Sequence, residues 1–261
     1  MNRGNYHSDI TTYSEALQTR IALNRQLGTR DFDGWVLKQL HPKQGECILD
    51  VGCGTGKFAI PCAQIVGDKG SIVGLDVSEE SLAKLKAASE ARALRITTIC
   101  AQMEELARFV TEGTFDAALC SYVLYYSEKP METIHAICRC LKQDGRLLVV
   151  GPDQGNNAEL LDFLEPFIGI PETSIYNQSF TYKTVIPACK MLFRELRVEH
   201  FENTIIFPNA QLLLEYWCSG GYYRAEAEDI VREAVVLRFS EHPQFTLHKR
   251  AVSVLAVGVR A

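Results

Sequence analysis

The stretch ILDVGCGTGKF, residues 48–58, runs an apolar segment into three glycines at alternate positions, with Asp50 before them and Lys57 behind. An apolar strand that enters a glycine-rich turn and then a helix is where a folded chain brings its backbone against a nucleotide-like ligand. Spacing separates the candidate ligands. A phosphate-binding P-loop needs Gly, four residues, then Gly-Lys-Ser/Thr. Counted back from Lys57, the first position is Val51, and Phe58 stands where the magnesium-binding hydroxyl belongs. The dinucleotide fingerprint GxGxxG opens at Gly52 and Gly54 but finds Lys57 in place of its third glycine.

Outward from this turn, strand-like and helix-like segments alternate. Strands are expected at 46–52, 71–78, 96–102, 115–126 and 145–153. Helices are expected after Gly56, after Ser78 with acids in its first turn, and from Pro130 to about Leu141. Strands that are apolar throughout and separated by helices imply a parallel sheet covered on both faces. The fold class is therefore α/β, doubly wound, with its ligand at the carboxyl ends of the strands. Two further strands, 197–207 and 251–259, bring the sheet to seven strands, mostly parallel and Rossmann-like. Residues 12–40 are helical with a break near Gly28 to Gly34. We read residues 1–261 as a single domain, with helical cap elements at 1–34, 154–196 and 208–248 roofing the strand ends.

With 261 residues, 47% of them hydrophobic, the chain can bury a large core. Its formal charge of -5 disfavours a nucleic-acid partner, because affinity for a phosphate backbone comes from neutralising it. The nine cysteines form no CxxC pair and have no His/Cys partners at metal-binding spacing, so no metal site is expected. Cys47, Cys62, Cys100 and Cys120 lie in apolar runs and read as small buried hydrophobes, which fits a reducing cytoplasm. The opening MNRGNYHSDITTYSE is too polar for a signal peptide, and no apolar run is long enough to span a membrane.

Asp50 adds charge to spacing. At the tip of the first strand, a carboxylate would repel a pyrophosphate docked on the following helix and would attract a cation. S-adenosylmethionine carries an ammonium and a sulfonium and no phosphate, so it suits this turn. Asp76 ends the second strand 26 residues later, where a carboxylate can accept from both hydroxyls of a ribose. It also fits a helix-start acid ahead of Ser78.

The segments ILDVGCGTG, GLDVS, CAQMEEL, FDAALCSYVLYY and LKQDGRLLVVG together resemble the successive motifs of class I S-adenosylmethionine-dependent methyltransferases, in particular the small-molecule group that includes ubiquinone-biosynthesis methyltransferases. The resemblance is close over residues 35–153 and architectural afterwards. It implies that Gly52, Gly54 and Gly56 let backbone approach the methionine portion, and that Asp76, with Val77 beside it, holds the ribose. It also implies that Gln102 and Met103 meet the adenine, and that Ser121 lies near the methionine amino group. Gln102 stands where the family often has an acid.

Methyl transfer is an in-line displacement in which placement supplies much of the rate, so the sequence forces no catalytic residue. Tyr125 and Tyr126 follow the fourth strand and are candidates to face the acceptor; core packing is the alternative. Tyr13 and Arg20, on the N-terminal helix, are candidates on the same side, with helix packing as theirs. His135 and His200 read as boundary residues, and Lys57 as pointing to solvent. The aromatics Phe163, Phe167, Tyr176, Phe180, Tyr182, Tyr216, Trp217, Tyr222 and Tyr223 suggest a moderately apolar or ring-containing acceptor, with core packing as the alternative.

The expected function is transfer of a methyl group from S-adenosylmethionine, leaving S-adenosylhomocysteine, to oxygen, nitrogen or activated carbon of a small molecule. The expected state is a monomer or homodimer. The open alternatives are a non-catalytic cofactor-binding regulatory subunit and, less well supported by the charge, a nucleic-acid methyltransferase.

Overall fold

The computed structural model describes residues 10–170 and 172–260, with residues 10–14 by backbone only. The described residues cluster into two compact units. The sheet unit comprises 33–153, 179–200 and 251–260, and the helical unit comprises 10–32, 154–178 and 201–250. Of the three stretches read as cap, residues 179–196 thus cluster with the sheet.

The seven strands are β1 (Cys47–Val51), β2 (Ser71–Asp76), β3 (Ile96–Cys100), β4 (Phe115–Ser121), β5 (Leu141–Pro152), β6 (Phe193–Phe207) and β7 (Phe245–Val259). Their spatial order is β3-β2-β1-β4-β5-β7-β6, with β1 to β5 parallel and β7 antiparallel to β5. From β1 the chain steps outward one way through β2 and β3, then returns to β4 on β1's other side. The carboxyl ends of β1 and β4 therefore flank a topological switch point, where open α/β sheets form a crevice. The central strands are apolar on both faces, and Leu49, Val51, Leu119 and Leu148 are fully buried.

Helix α1 spans Ile10–Leu27, and the sheet unit carries α2 (Phe32–Leu40), α3 (Ala59–Val66), α4 (Glu79–Glu90) and α5 (Pro130–Cys140). Ser78 caps α4 by accepting the Ser81 N–H at 3.2 Å, and Pro130 opens α5, both as the sequence signals require. The helical unit contains α1 (Ile10–Leu27), α6 (Ala158–Ile168), α9 (Ala210–Cys218) and α10 (Glu228–Glu241). The helix α7 (Glu172–Phe180) continues through the π-helical turn Thr181–Val185 into α8 (Ile186–Leu192). No helix among the described residues is long and apolar enough to cross a membrane.

Three local readings change. The fourth strand stops at Ser121 rather than continuing to 126, because Tyr122 takes a left-handed conformation (φ +56°) and a short 3-10 turn follows at Leu124–Tyr126. Cys100 is exposed, since β3 is the sheet's edge strand. Of the aromatics read toward the acceptor, Phe180, Tyr216 and Trp217 are buried, and the last two pack with Leu23, Leu164, Phe207 and Phe245 inside the helical unit. Sequence spacing cannot tell such a cluster from a binding surface, because both are apolar and aromatic.

Arg146 fastens the amino end of the sheet. Its guanidinium donates to both oxygens of Glu46, at 2.8 and 2.7 Å, and to the carbonyls of Leu40 and His41 at 2.7 and 2.9 Å. Both side chains are largely buried. Burial alone would raise the Glu46 carboxyl, but Arg146 and the Lys43 amide outweigh it and hold it below the ordinary carboxylate range. The stability this contributes is present at neutral pH and is lost as the pH falls through that depressed value. Arg146→Ala should destabilise the protein by about 3 kcal/mol at pH 7, with the loss shrinking in acid as Glu46 protonates. Urea denaturation of wild type and variant across pH checks both parts, and a pH-independent difference would refute the pairing argument.

Candidate functional site

The turn after β1 is held from two sides. Gly52 and Cys53 both donate their N–H groups to the Leu75 carbonyl, at 2.7 and 3.1 Å, which pulls the turn toward β2. Gly54 N–H donates to Asp76 Oδ2 at 2.8 Å, and Ser78 N–H donates to Asp76 Oδ1 at 2.9 Å. Asp76 is therefore the helix-start acid that its position allowed, and it also holds the glycine turn.

All three glycines have positive φ, at +71°, +51° and +91° for Gly52, Gly54 and Gly56. They serve different ends. A Cβ at Gly52 would lie 2.4 Å from a Val123 methyl, and one at Gly56 would lie 2.4 Å from Leu85 Cδ1. Those two glycines let the turn fit between its protein neighbours. A Cβ at Gly54 would meet nothing within 4 Å. Gly54 alone faces open space, and there a ligand can lie against backbone.

Asp50, the last but one residue of β1, is buried to 3% exposure, and its Oδ2 has no hydrogen-bond partner among the described residues. Burial first, and the charge of Asp76 second, push its carboxyl up to about 7, against the opposing pull of the Ala59 amide. A buried carboxylate oxygen without a partner is costly, and a cationic donor would satisfy it. These residues fit S-adenosylmethionine: an ammonium for Asp50, open ground over Gly54, and a carboxylate at Asp76 with lone pairs to spare. A pyrophosphate would find two carboxylates instead.

The remaining predicted residues fall around the same edge of the parallel strands. Val77 is 38% exposed just past β2. Gln102 is exposed and Met103 is buried at the start of a 3-10 turn, Met103–Arg108, next to Ala101, whose N–H donates to the Asp76 carbonyl at 3.1 Å. Ser121 ends β4 opposite Val150 of β5. The left-handed Tyr122 swings the chain so that Val123 packs on Gly52. Beyond it Tyr125 is half-buried, its ring 4.6 Å from that of Tyr126 and edge-on to Phe180 at 6.3 Å, whereas Tyr126 is 50% exposed. Arg20 belongs to the helical unit, where it neighbours Gly220 and where burial and Arg20's like charge push the Lys249 ammonium down to about 8. The side chain of Tyr13 lies outside the described residues.

Sequence reasoning missed several polar links. Lys57 is not a free solvent-pointing cation; its Nζ pairs with Asp33 of α2 at 2.8 Å. Glu104 accepts from Ser127 Oγ at 2.6 Å and from the Glu128 N–H at 3.0 Å, and Ser127 also meets Thr133 at 2.9 Å. This network ties the turn beginning at Met103 to the start of α5. At the end of β5, buried Asp153 gathers Tyr182 and His200. No linear motif signals any of these, since each pair is set by how the elements pack.

Residues 48–145 match the family model described as a methyltransferase domain. A demethylmenaquinone methyltransferase of Shouchella clausii is 24% identical over 207 residues, covering 76% of this chain and 81% of its own. One of Lactococcus lactis is 25% identical over 230 residues, covering 85% and 84%. The chain is an S-adenosylmethionine-dependent methyltransferase that resembles quinone-biosynthesis enzymes. Its fold agrees with that of a solved S-adenosylmethionine-dependent methyltransferase from Aquifex aeolicus, with a TM-score of 0.57 at 16% identity over 95% of this chain and 98% of that one. The segment matched in this methyltransferase contains Asp50, the glycine turn, Asp76, Gln102, Met103 and Ser121.

The buried Asp50 makes a pH-dependent prediction about the methyltransferase without ligand. Its folded value lies above that of an unfolded aspartate, so the stability linked to this group falls as pH rises toward 7 and stays low above it. Asp50→Asn should therefore raise the melting temperature at pH 8, by an amount equivalent to at most about 4 kcal/mol, and the gain should fade toward pH 4. Differential scanning calorimetry checks it; a variant no more stable than wild type at pH 8 would contradict the burial argument.

Proposed function

We propose that the chain transfers the methyl group of S-adenosylmethionine to a small hydroxylated ring compound of quinol type, at oxygen or at an activated ring carbon. The observation that carries the donor side is the unpartnered Asp50 oxygen beside the open face of Gly54. In this reading Asp50 takes the donor's ammonium and Gly54 lets backbone lie along the methionine portion. Gly52 and Gly56 keep the turn in shape, and Asp76 accepts from the ribose hydroxyls with Val77 beside it. Gln102 and Met103 border the adenine, and Ser121 lies near the amino group. When bound, the donor supplies an electrophilic methyl carbon on a sulfonium. The protein's part is to fix that carbon in line with the incoming atom, where correct placement contributes much of the rate.

The acceptor reading is supported by the relatives named as demethylmenaquinone methyltransferases and by the tyrosines that follow β4. Tyr126 offers an exposed ring on which a planar acceptor can stack, and Tyr125 backs it. The nine cysteines, none in a disulfide, support the cytoplasm as the compartment.

S-adenosylhomocysteine should raise the melting temperature by mass action, whereas equal concentrations of NAD and ATP should not. Asp76→Ala should weaken S-adenosylhomocysteine by about 1–3 kcal/mol in a calorimetric titration, because two hydroxyls lose a charged acceptor. Gly54→Ala should keep its fold at a cost of about 1–2 kcal/mol for its left-handed φ, and should bind the nucleoside poorly because its methyl projects into the ligand's space. The acceptor class is tested with donor labelled at the methyl group and a short-chain demethylmenaquinol; no label in the quinol would reject that class.

A further inference from the structure

At the carboxyl end of β5, both oxygens of the Asp153 carboxylate are engaged. Tyr182 donates its hydroxyl to Oδ1, and Nδ1 of His200 lies 2.7 Å from Oδ2. Asp153 is 8% exposed and the His200 side chain is 61% exposed, so the assembly has a buried anchor and an open end. It is a built arrangement. Tyr182 sits on the π-helical turn, a rare conformation that recurs at functional sites. That turn can approach the strand because Gly151 has no side chain: a Cβ there would lie 3.3 Å from Thr181 Oγ1. Burial and the neighbouring Asp153 carboxylate hold the proton on the Tyr182 phenol, which keeps it a donor.

The chemistry follows from the partners. A carboxylate only accepts, so a neutral His200 must carry its proton on Nδ1, and Nε2 is left with its lone pair. Nε2 has no partner among the described residues. Asp153 follows the carboxyl end of β5 as Ser121 ends β4, and parallel strands present these ends at one edge of the sheet.

We propose that His200 is the proton acceptor for the acceptor's hydroxyl, with Asp153 and Tyr182 as positioning residues that fix its tautomer and ring orientation. This rests on the hydroxylated-acceptor reading above. The O–H bond breaks with its electron pair left on oxygen, and an N–H bond forms at Nε2. The nucleophile so generated takes the methyl group as the carbon–sulfur bond breaks, its pair returning to sulfur. The imidazolium formed beside Asp153 is stabilised by the carboxylate until its proton passes to water.

The test pairs a spectroscopic readout with kinetics on the full chain. In protein labelled with 15N-histidine, the signals lost in His200→Gln identify His200. The neutral ring should be protonated at Nδ1 and bare at Nε2, and Asp153→Asn or Tyr182→Phe should disturb that tautomer. With labelled donor and a short-chain demethylmenaquinol, His200→Gln should lower kcat on the order of 100-fold while S-adenosylhomocysteine affinity stays within about twofold. A proton on Nε2 in the wild-type protein, or a kcat within about threefold in His200→Gln, overturns the assignment. If the wild-type enzyme transfers no methyl to the quinol, the quinol reading fails on its own, and the tautomer still decides for or against His200.

Discussion

Asp50 is a carboxylate placed inside the sheet, one residue short of the turn, and its Oδ2 has no hydrogen-bond partner among the described residues. The turn beside it is held closely to β2. The turn that follows must bend back at once, so its glycines take left-handed conformations, and Leu75 and Asp76 on β2 receive the freed N–H groups. A second carboxylate then stands across the turn from the first. In the reading proposed above, these two acids disfavour a phosphate and favour a donor with cationic and hydroxyl groups.

The three glycines differ in what surrounds them. Gly52 and Gly56 are hemmed in by Val123 and Leu85, so side chains from the β4 turn and from α4 press on the loop from opposite sides. This packing leaves the backbone at Gly54 uncovered. The left-handed Tyr122 belongs to the same device, because ending β4 there is what delivers Val123 to Gly52 and exposes Tyr126 beyond it. Strain at one residue thus couples the cofactor-side turn to the residues assigned to the acceptor.

A second polar centre follows the same logic at β5. Asp153 is as buried as a core residue, yet both of its oxygens are bonded, so it is a satisfied anchor where Asp50 is an unsatisfied one. The contrast separates their chemistry. An unpartnered oxygen invites a ligand, whereas a fully bonded carboxylate fixes the orientation of whatever it holds, here an imidazole with its other nitrogen outward.

Local physics wrote much of the fold into the chain. The alternation of apolar strands with capped helices, Ser78 and Pro130 at helix starts, and the turn at 52–56 are all set by residues near one another in sequence, so their pattern is readable directly. The choice of donor was readable for the same reason, since Asp50 and the glycines share one turn. Strand order decided the rest. It set β5 beside β7 and β6 beyond, and it brought Ser127 to Glu104 and His200 to Asp153 across 47 positions. Tertiary packing also made core of aromatics that looked like a binding surface, because apolar area is buried wherever neighbours exist to cover it, and only the folded chain says where those neighbours are.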